Sequence, residues 1–92
     1  MYLVTAYDVV DDRRRRRLQR ALAAWLLPVQ KSVFEGHLLP PALVPLRRAI
    51  DRHIDPDTDS VRVFPLCEAC RRAARLHGTA APLPDPKAPL FL

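Results

Sequence analysis

No stretch of the sequence approaches the roughly 18 consecutive apolar residues of a membrane span. Its first ten residues, MYLVTAYDVV, carry neither a basic leader nor a small-residue cleavage site. A cytoplasmic protein with no membrane association is expected. Cysteine is scarce, with Cys67 and Cys70 alone, and in a cytosolic chain such a pair reads as free thiols before it reads as a structural disulfide. Lysine is almost absent, represented by Lys31 and Lys87. Aromatic residues interleaved with basic ones, the usual platform for stacking bases, are missing. At 92 residues the chain is too short for two ordinary domains, and it holds no internal repeat. A single core of this size leaves much surface exposed, and such domains are often completed by a metal or by another chain.

What is present is arginine. The formal net charge of +5 rests almost entirely on it, and Arg13, Arg14, Arg15, Arg16 and Arg17 are consecutive. A guanidinium offers a flat fork that matches two phosphate oxygens, so an arginine-rich surface suits nucleic acid. Codon bias in a GC-rich genome would raise the arginine count, but it does not gather five in a row.

Residues 2–9, YLVTAYDV, are β-branched and aromatic enough for a strand. Leu3, Tyr7 and Val9 fall on one side and Tyr2, Val4 and Ala6 on the other, so the strand is expected to be covered on both faces. Asp11 or Asp12 can cap a helix from Arg13 to about Leu27, in which Leu18, Ala21, Leu22, Trp25 and Leu26 form one core stripe that Pro28 ends. Residues 29–36, VQKSVFEG, read as a strand or a tight bent pair of strands. Pro40 and Pro41 open a second helix to about His53, with Pro45 acceptable only in its first turn. DPDTD, residues 55–59, is a turn, and SVRVFPL, residues 60–66, a strand. Periodicity does not decide between helix and turn for CEACRRAARLHG.

The order predicts an α+β, ferredoxin-like domain over residues 1–78, with an antiparallel sheet and two helices on one face. Residues 79–92 read as a Pro-rich C-terminal arm ending in a short strand, PLFL, that packs either on its own domain or on a neighbour. A homodimer joined through the sheets would cover the second apolar face of the first strand.

In such a domain the end of the first strand lies beside the start of the first helix. Extending the helix stripe backward from Leu18 points Arg14 and Arg15 toward Asp8, with Arg13, Arg16 and Arg17 nearer solvent. A carboxylate beside arginines can hold a hard divalent cation while the arginines hold phosphate, the minimum for metal-assisted phosphodiester cleavage. One carboxylate is few for magnesium, although waters, phosphate oxygens and a second Asp8 across a two-fold axis could complete the set. The plainer reading is that Asp8 caps a turn or pairs with an arginine. The arginine run has its own plain reading as a solvated helix face, yet positive charge at a helix start opposes the macrodipole, which favours a functional reason. With no stacking aromatics, contact would be directed at the backbone. Cys67 and Cys70 form a CxxC, but zinc wants four ligands and His77 would add only a third. His37, His53 and His77 show no metal-site spacing.

Several blocks in register, YDVVDDRRRRRLQRAL, VQKSVFEGHL and IDPDTDSVRVFPLC, together resemble CRISPR-associated protein two, the small subunit of the spacer-acquisition complex, over residues 1 to about 70. The resemblance implies a ferredoxin-like homodimer whose sheets face each other and whose C-terminal strands extend the partner's sheet. It also implies magnesium-dependent endonuclease activity on RNA or DNA, and a bridging role in which the dimer joins the integrase, CRISPR-associated protein one, and holds duplex DNA. By the same resemblance Asp8 is the catalytic residue and shared metal ligand, with Tyr7 before it. Arg15 and Arg17 are the basic positions of the first helix, and Phe34 is the aromatic of the SVFEG block. The nucleic-acid-binding set is Arg13, Arg14, Arg15, Arg16, Arg17 and Lys31. Many members carry a basic residue where this chain has Pro28, which removes one phosphate contact.

Overall fold

The computed structural model describes residues 1–80. Tyr2–Asp8 form the first strand, β1, and a helix, α1, follows over Asp12–Leu22. A hairpin of β2, Leu27–Gln30, and β3, Val33–His37, comes next. A short 3-10 turn at Pro40–Ala42 leads into α2, Leu43–Arg52, then β4, Ser60–Leu66, and a six-residue helix α3, Glu68–Ala73. The strands form one sheet in the order β2-β3-β1-β4 with every neighbouring pair antiparallel. This is the ferredoxin-like arrangement, with α1 and α2 packed together over the sheet.

Alternation along β1 sorts its residues between two faces. Leu3, Thr5 and Tyr7 are buried toward the helices. They join Val9, Leu18, Leu22, Leu26, Phe34, Leu38, Leu46 and Ile50 in the core, with the side chains of Leu18, Leu22 and Leu46 wholly excluded from solvent. Each such leucine contributes roughly 1.5–3 kcal/mol of hydrophobic stabilisation. Gly36, paired with Leu3, makes room for Leu26, because a Cβ at that position would stand 3.3 Å from Leu26 Cδ2. The opposite face carries Tyr2, Val4, Ala6 and Asp8, with Leu66 across from Tyr2, Glu35 and Phe64 flanking Val4, Val33 and Arg62 flanking Ala6, and Phe64 48% exposed.

Two element boundaries differ from the sequence reading. The first helix ends at Leu22, five residues early, and the chain turns through Ala23–Trp25 so that Leu27 and Pro28 already belong to β2. Leu26 keeps its core position because its N–H still bonds the Leu22 carbonyl at 2.9 Å. Pro28 is tolerated because β2 is an edge strand, where a missing N–H breaks little. Residues 29–36 resolve into the paired-strand alternative, with Lys31 and Ser32 in the turn. Pro45 is the third residue of α2, inside its first turn, and the CEAC segment is helical. The C-terminal arm, from residue 81 onward, lies outside the described residues, as does its expected terminal strand. Among the described residues no helix is long and apolar enough to cross a membrane.

Candidate nucleic-acid and metal site

Asp8 closes β1 opposite Ser60 of β4 and is exposed. Asp11 caps α1, accepting the Arg14 N–H at 2.9 Å, and that bond holds its carboxyl below the usual range. Only Val9 and Val10 separate strand and cap, which leaves the end of β1 beside the first turn of α1. There Asp8, Val9, Arg15, Gln19, Lys31 and Ser32 line a cleft of about 250 Å³. Among the described residues the Asp8 carboxylate makes neither a hydrogen bond nor an ion pair, so the plain reading of a turn cap or an arginine partner does not describe it.

The arginine run splits three ways. Arg15 enters the cleft, donating to the Val9 carbonyl at 3.1 Å and pairing with Asp12. Arg14, expected near Asp8, goes to the other side of the strand end. Its Nε lies 2.9 Å from Oδ2 of Asp59 and a terminal nitrogen 3.2 Å from Oδ1, a two-pronged grip. Arg13, Arg16 and Arg17 are exposed and, with Arg20, fall within about 100° of the helix circumference on its solvent side. They form a continuous cationic ridge. Lys31 is exposed in the β2–β3 turn across the cleft from Arg15.

Two residues with roles here were not singled out by the sequence reading. Gln19 donates to the Tyr7 hydroxyl at 2.8 Å, and that hydroxyl donates to the Lys31 carbonyl at 3.2 Å. This chain ties α1, β1 and the β2–β3 turn together and fixes the wall opposite Arg15. Gln19 sits four residues after Arg15, so the same helix face carries both. Phe34 lies under the Tyr7 ring, centroids 6.2 Å apart, and is buried. Asp59 is the second missed residue. It closes the acidic turn, its side chain is fully excluded from solvent, and it accepts the N–H groups of Val10 and Asp55 at 3.1 and 2.8 Å. The Arg14 hydrogen bond holds its carboxyl far below the ordinary value. The only sequence hint was three acids in a turn beside a basic run.

A magnesium ion prefers hard oxygen donors and keeps several waters. The cleft offers one such donor group, the unpartnered Asp8 carboxylate, beside cations suited to phosphate. Among the described residues no cluster of three His, Cys, Asp or Glu side chains exists. The donor chemistry fits a divalent cation that takes one carboxylate from this chain and most of its oxygen ligands from elsewhere.

Residues 1–74 match the family described as CRISPR associated protein Cas2. The chain is 33% identical to a CRISPR-associated endoribonuclease Cas2 of Chloroflexus aurantiacus, covering 94% of this chain and 92% of that protein. It is 41% identical to a CRISPR-associated endonuclease Cas2 of Thermus thermophilus over 66% of this chain and 68% of that one. The crystal structure of Streptococcus pyogenes Cas2 superposes with a TM-score of 0.74 at 28% identity, covering 85% of this chain and all of that chain.

Proposed function

This chain belongs to the CRISPR-associated Cas2 family, and from that premise we propose that it is a nucleic-acid-binding adaptation protein with metal-dependent phosphodiesterase activity. It acts as a homodimer whose open sheet faces meet and bring two Asp8 side chains to one magnesium ion. The observation that carries this reading is the Asp8 carboxylate itself, which is exposed and unpartnered among the described residues in a cleft that also holds Arg15 and Lys31. On the same sheet face the exposed Phe64 stands beside the half-buried Val4 and Val33, apolar surface that favours the dimer. Relatives named endoribonuclease and endonuclease support cleavage of RNA or DNA.

In this mechanism Arg15 and Lys31 hold the scissile phosphate over the cleft, and the ridge of Arg13, Arg16 and Arg17 carries the flanking backbone. Gln19 and Tyr7 keep the Lys31 turn in place. Asp8 holds the cation. The chemistry that magnesium supplies there is polarisation of a phosphate oxygen and acidification of a water. Arg14 is excluded from this work by its grip on Asp59. The same dimer is proposed to bridge the integrase, CRISPR-associated protein one, to duplex DNA.

A second reading, a scaffold without catalysis, is favoured by the ridge, because Arg13, Arg16 and Arg17, with Arg20 beside them, are exposed and do not line the cleft. Asp8→Ala separates the two. Cleavage of RNA and DNA substrates in magnesium is expected to fall roughly 100-fold, the cost of losing a metal ligand or its support, while duplex binding and the melting temperature stay unchanged. Cleavage at the original rate by the variant overturns the enzymatic reading and leaves the scaffold.

A further inference from the structure

The nuclease reading makes no use of Cys67 and Cys70, and the sequence alone treats them as ordinary thiols. The structure places them together. Cys67 is the last residue before α3, with an extended backbone, and Cys70 lies one turn on. The Cys67 Sγ accepts the Cys70 N–H at 3.4 Å, folding the first thiol back over the second residue. The Cys67 sulfur thus already lies against the backbone of Cys70, and a disulfide needs the two Cβ atoms about 3.5–4.5 Å apart. A small closure of this one turn therefore suffices. Both thiols are free and exposed, so a reagent can reach either.

The two are not equivalent. The Cys70 N–H bond draws the Cys67 thiol below its ordinary range, while the contact with Cys67 pushes Cys70 above it. A nucleophile with a lowered thiol beside a resolving partner is the division of labour that thiol–disulfide exchange uses. Arg71, next to Cys70, lies over the Tyr2 ring at 4.4 Å from its centroid, so the turn is already fastened to the open face of the sheet.

We propose that Cys67 and Cys70 are a redox-active dithiol that exchanges with low-molecular-weight disulfides and closes to an intrachain disulfide. The Cys67 thiol gives up its proton, and its sulfur attacks one sulfur of the disulfide RSSR. A protein–SR mixed disulfide forms and one RS⁻ leaves to take up that proton. The Cys70 sulfur, after loss of its own proton, then attacks the Cys67 sulfur, forming the Cys67–Cys70 bond and releasing the second RS⁻. The protein loses two electrons and two protons, and RSSR is reduced to two RSH.

The full chain, incubated with oxidised glutathione and followed by intact mass, tests this. The wild type is expected to lose the mass of two hydrogens without retaining glutathione. Cys70→Ser is expected to trap one glutathione, at least about tenfold faster than Cys67→Ser does, because only Cys67 is activated. Both positions are exposed, so the serine variants are expected to match the wild type in far-UV circular dichroism. Equal trapping rates in the two variants, or a wild type that retains glutathione without closing, would falsify the proposal.

Discussion

Arg14 and Asp59, 45 residues apart in sequence, form a two-pronged ion pair with Nε 2.9 Å from Oδ2, and it fastens the start of α1 to the entry of β4. Because Asp59 also accepts two backbone N–H groups, its carboxylate organises the whole end of the sheet on which Asp8 stands. The run of five arginines is thus not five equivalent cations. One is structural, one lines the cleft and three lie on the ridge.

Replacing Arg14 or Asp59 should cost stability, whereas replacing Arg16 should not. Asp59 is solvent-excluded while Arg14 is partly exposed, so losing the arginine strands a buried carboxylate and losing the carboxylate releases the backbone N–H groups it accepts. Arg14→Gln and Asp59→Asn are each expected to lower the melting temperature by at least about 5 °C, the shift a modest destabilisation produces in a domain of this size. Arg16→Gln should leave it unchanged. Equal melting temperatures across the three variants would remove Arg14 from its structural role.

The same pair sets a pH dependence. The Asp59 carboxyl is held far below its ordinary value in the folded chain, so the stability it contributes is complete above about pH 4, the unfolded value for aspartate. That stability is lost as the pH falls below 4. Thermal unfolding between pH 7 and pH 2 should show a steeper acid loss for the wild type than for Asp59→Asn. Parallel curves would contradict the assignment.

Tyr2 works at the alkaline end. Burial first, and then its hydrogen bond to Glu35 at 2.9 Å, push its phenol up to about 12. A raised value means the contribution to stability is present below about pH 10 and is lost as the pH climbs through 12. In a Tyr7→Phe background, which leaves a single tyrosine, phenolate absorbance should rise near pH 12, and Glu35→Gln should move that midpoint down. A midpoint near 10 would show that Tyr2 is not held as described.

Backbone binding by the ridge predicts a salt signature. Each phosphate contact contributes roughly 0.9 to the slope of log affinity against log salt. Neutralising Arg13, Arg16 and Arg17 together should flatten that slope for duplex DNA by about 2.7. Arg14→Gln should change it little, because that guanidinium is already engaged with Asp59. Titrations at several salt concentrations decide the matter, and an unchanged slope in the triple variant removes the ridge from the interface.

Gln19 and Tyr7 should be energetically coupled. Their 2.8 Å hydrogen bond is half-buried, and such a bond is worth about 1 kcal/mol. In urea denaturation, Gln19→Leu and Tyr7→Phe together should destabilise less than the sum of the two alone, by about 0.5–1.5 kcal/mol. Strict additivity would mean that the network does not hold the Lys31 turn.

The sequence by itself determined the order of the main strands and helices, because the alternation of β1 and the stripe of Leu18 and Leu22 are local consequences of strand and helix period, while the hairpin at residues 29–36 and the helix after Cys67 stayed open until the fold was seen. It also located the cation run and the Asp8 strand end, since chain neighbours in a β–turn–α unit must lie close in space. Only the tertiary structure decided how the arginines divide. Arg14 and Arg15 are adjacent in sequence and similar in chemistry, and what parts them is a carboxylate arriving from residue 59 on one side and a cleft walled by the β2–β3 turn on the other. Tertiary contact likewise ended α1 at Leu22. Periodicity alone would carry the helix on to Leu27, but Leu27 and Pro28 pair with Glu35 and Phe34 as an edge strand. Contacts between residues far apart in the chain leave no periodic trace, so Asp59 and Gln19 were legible only in the fold.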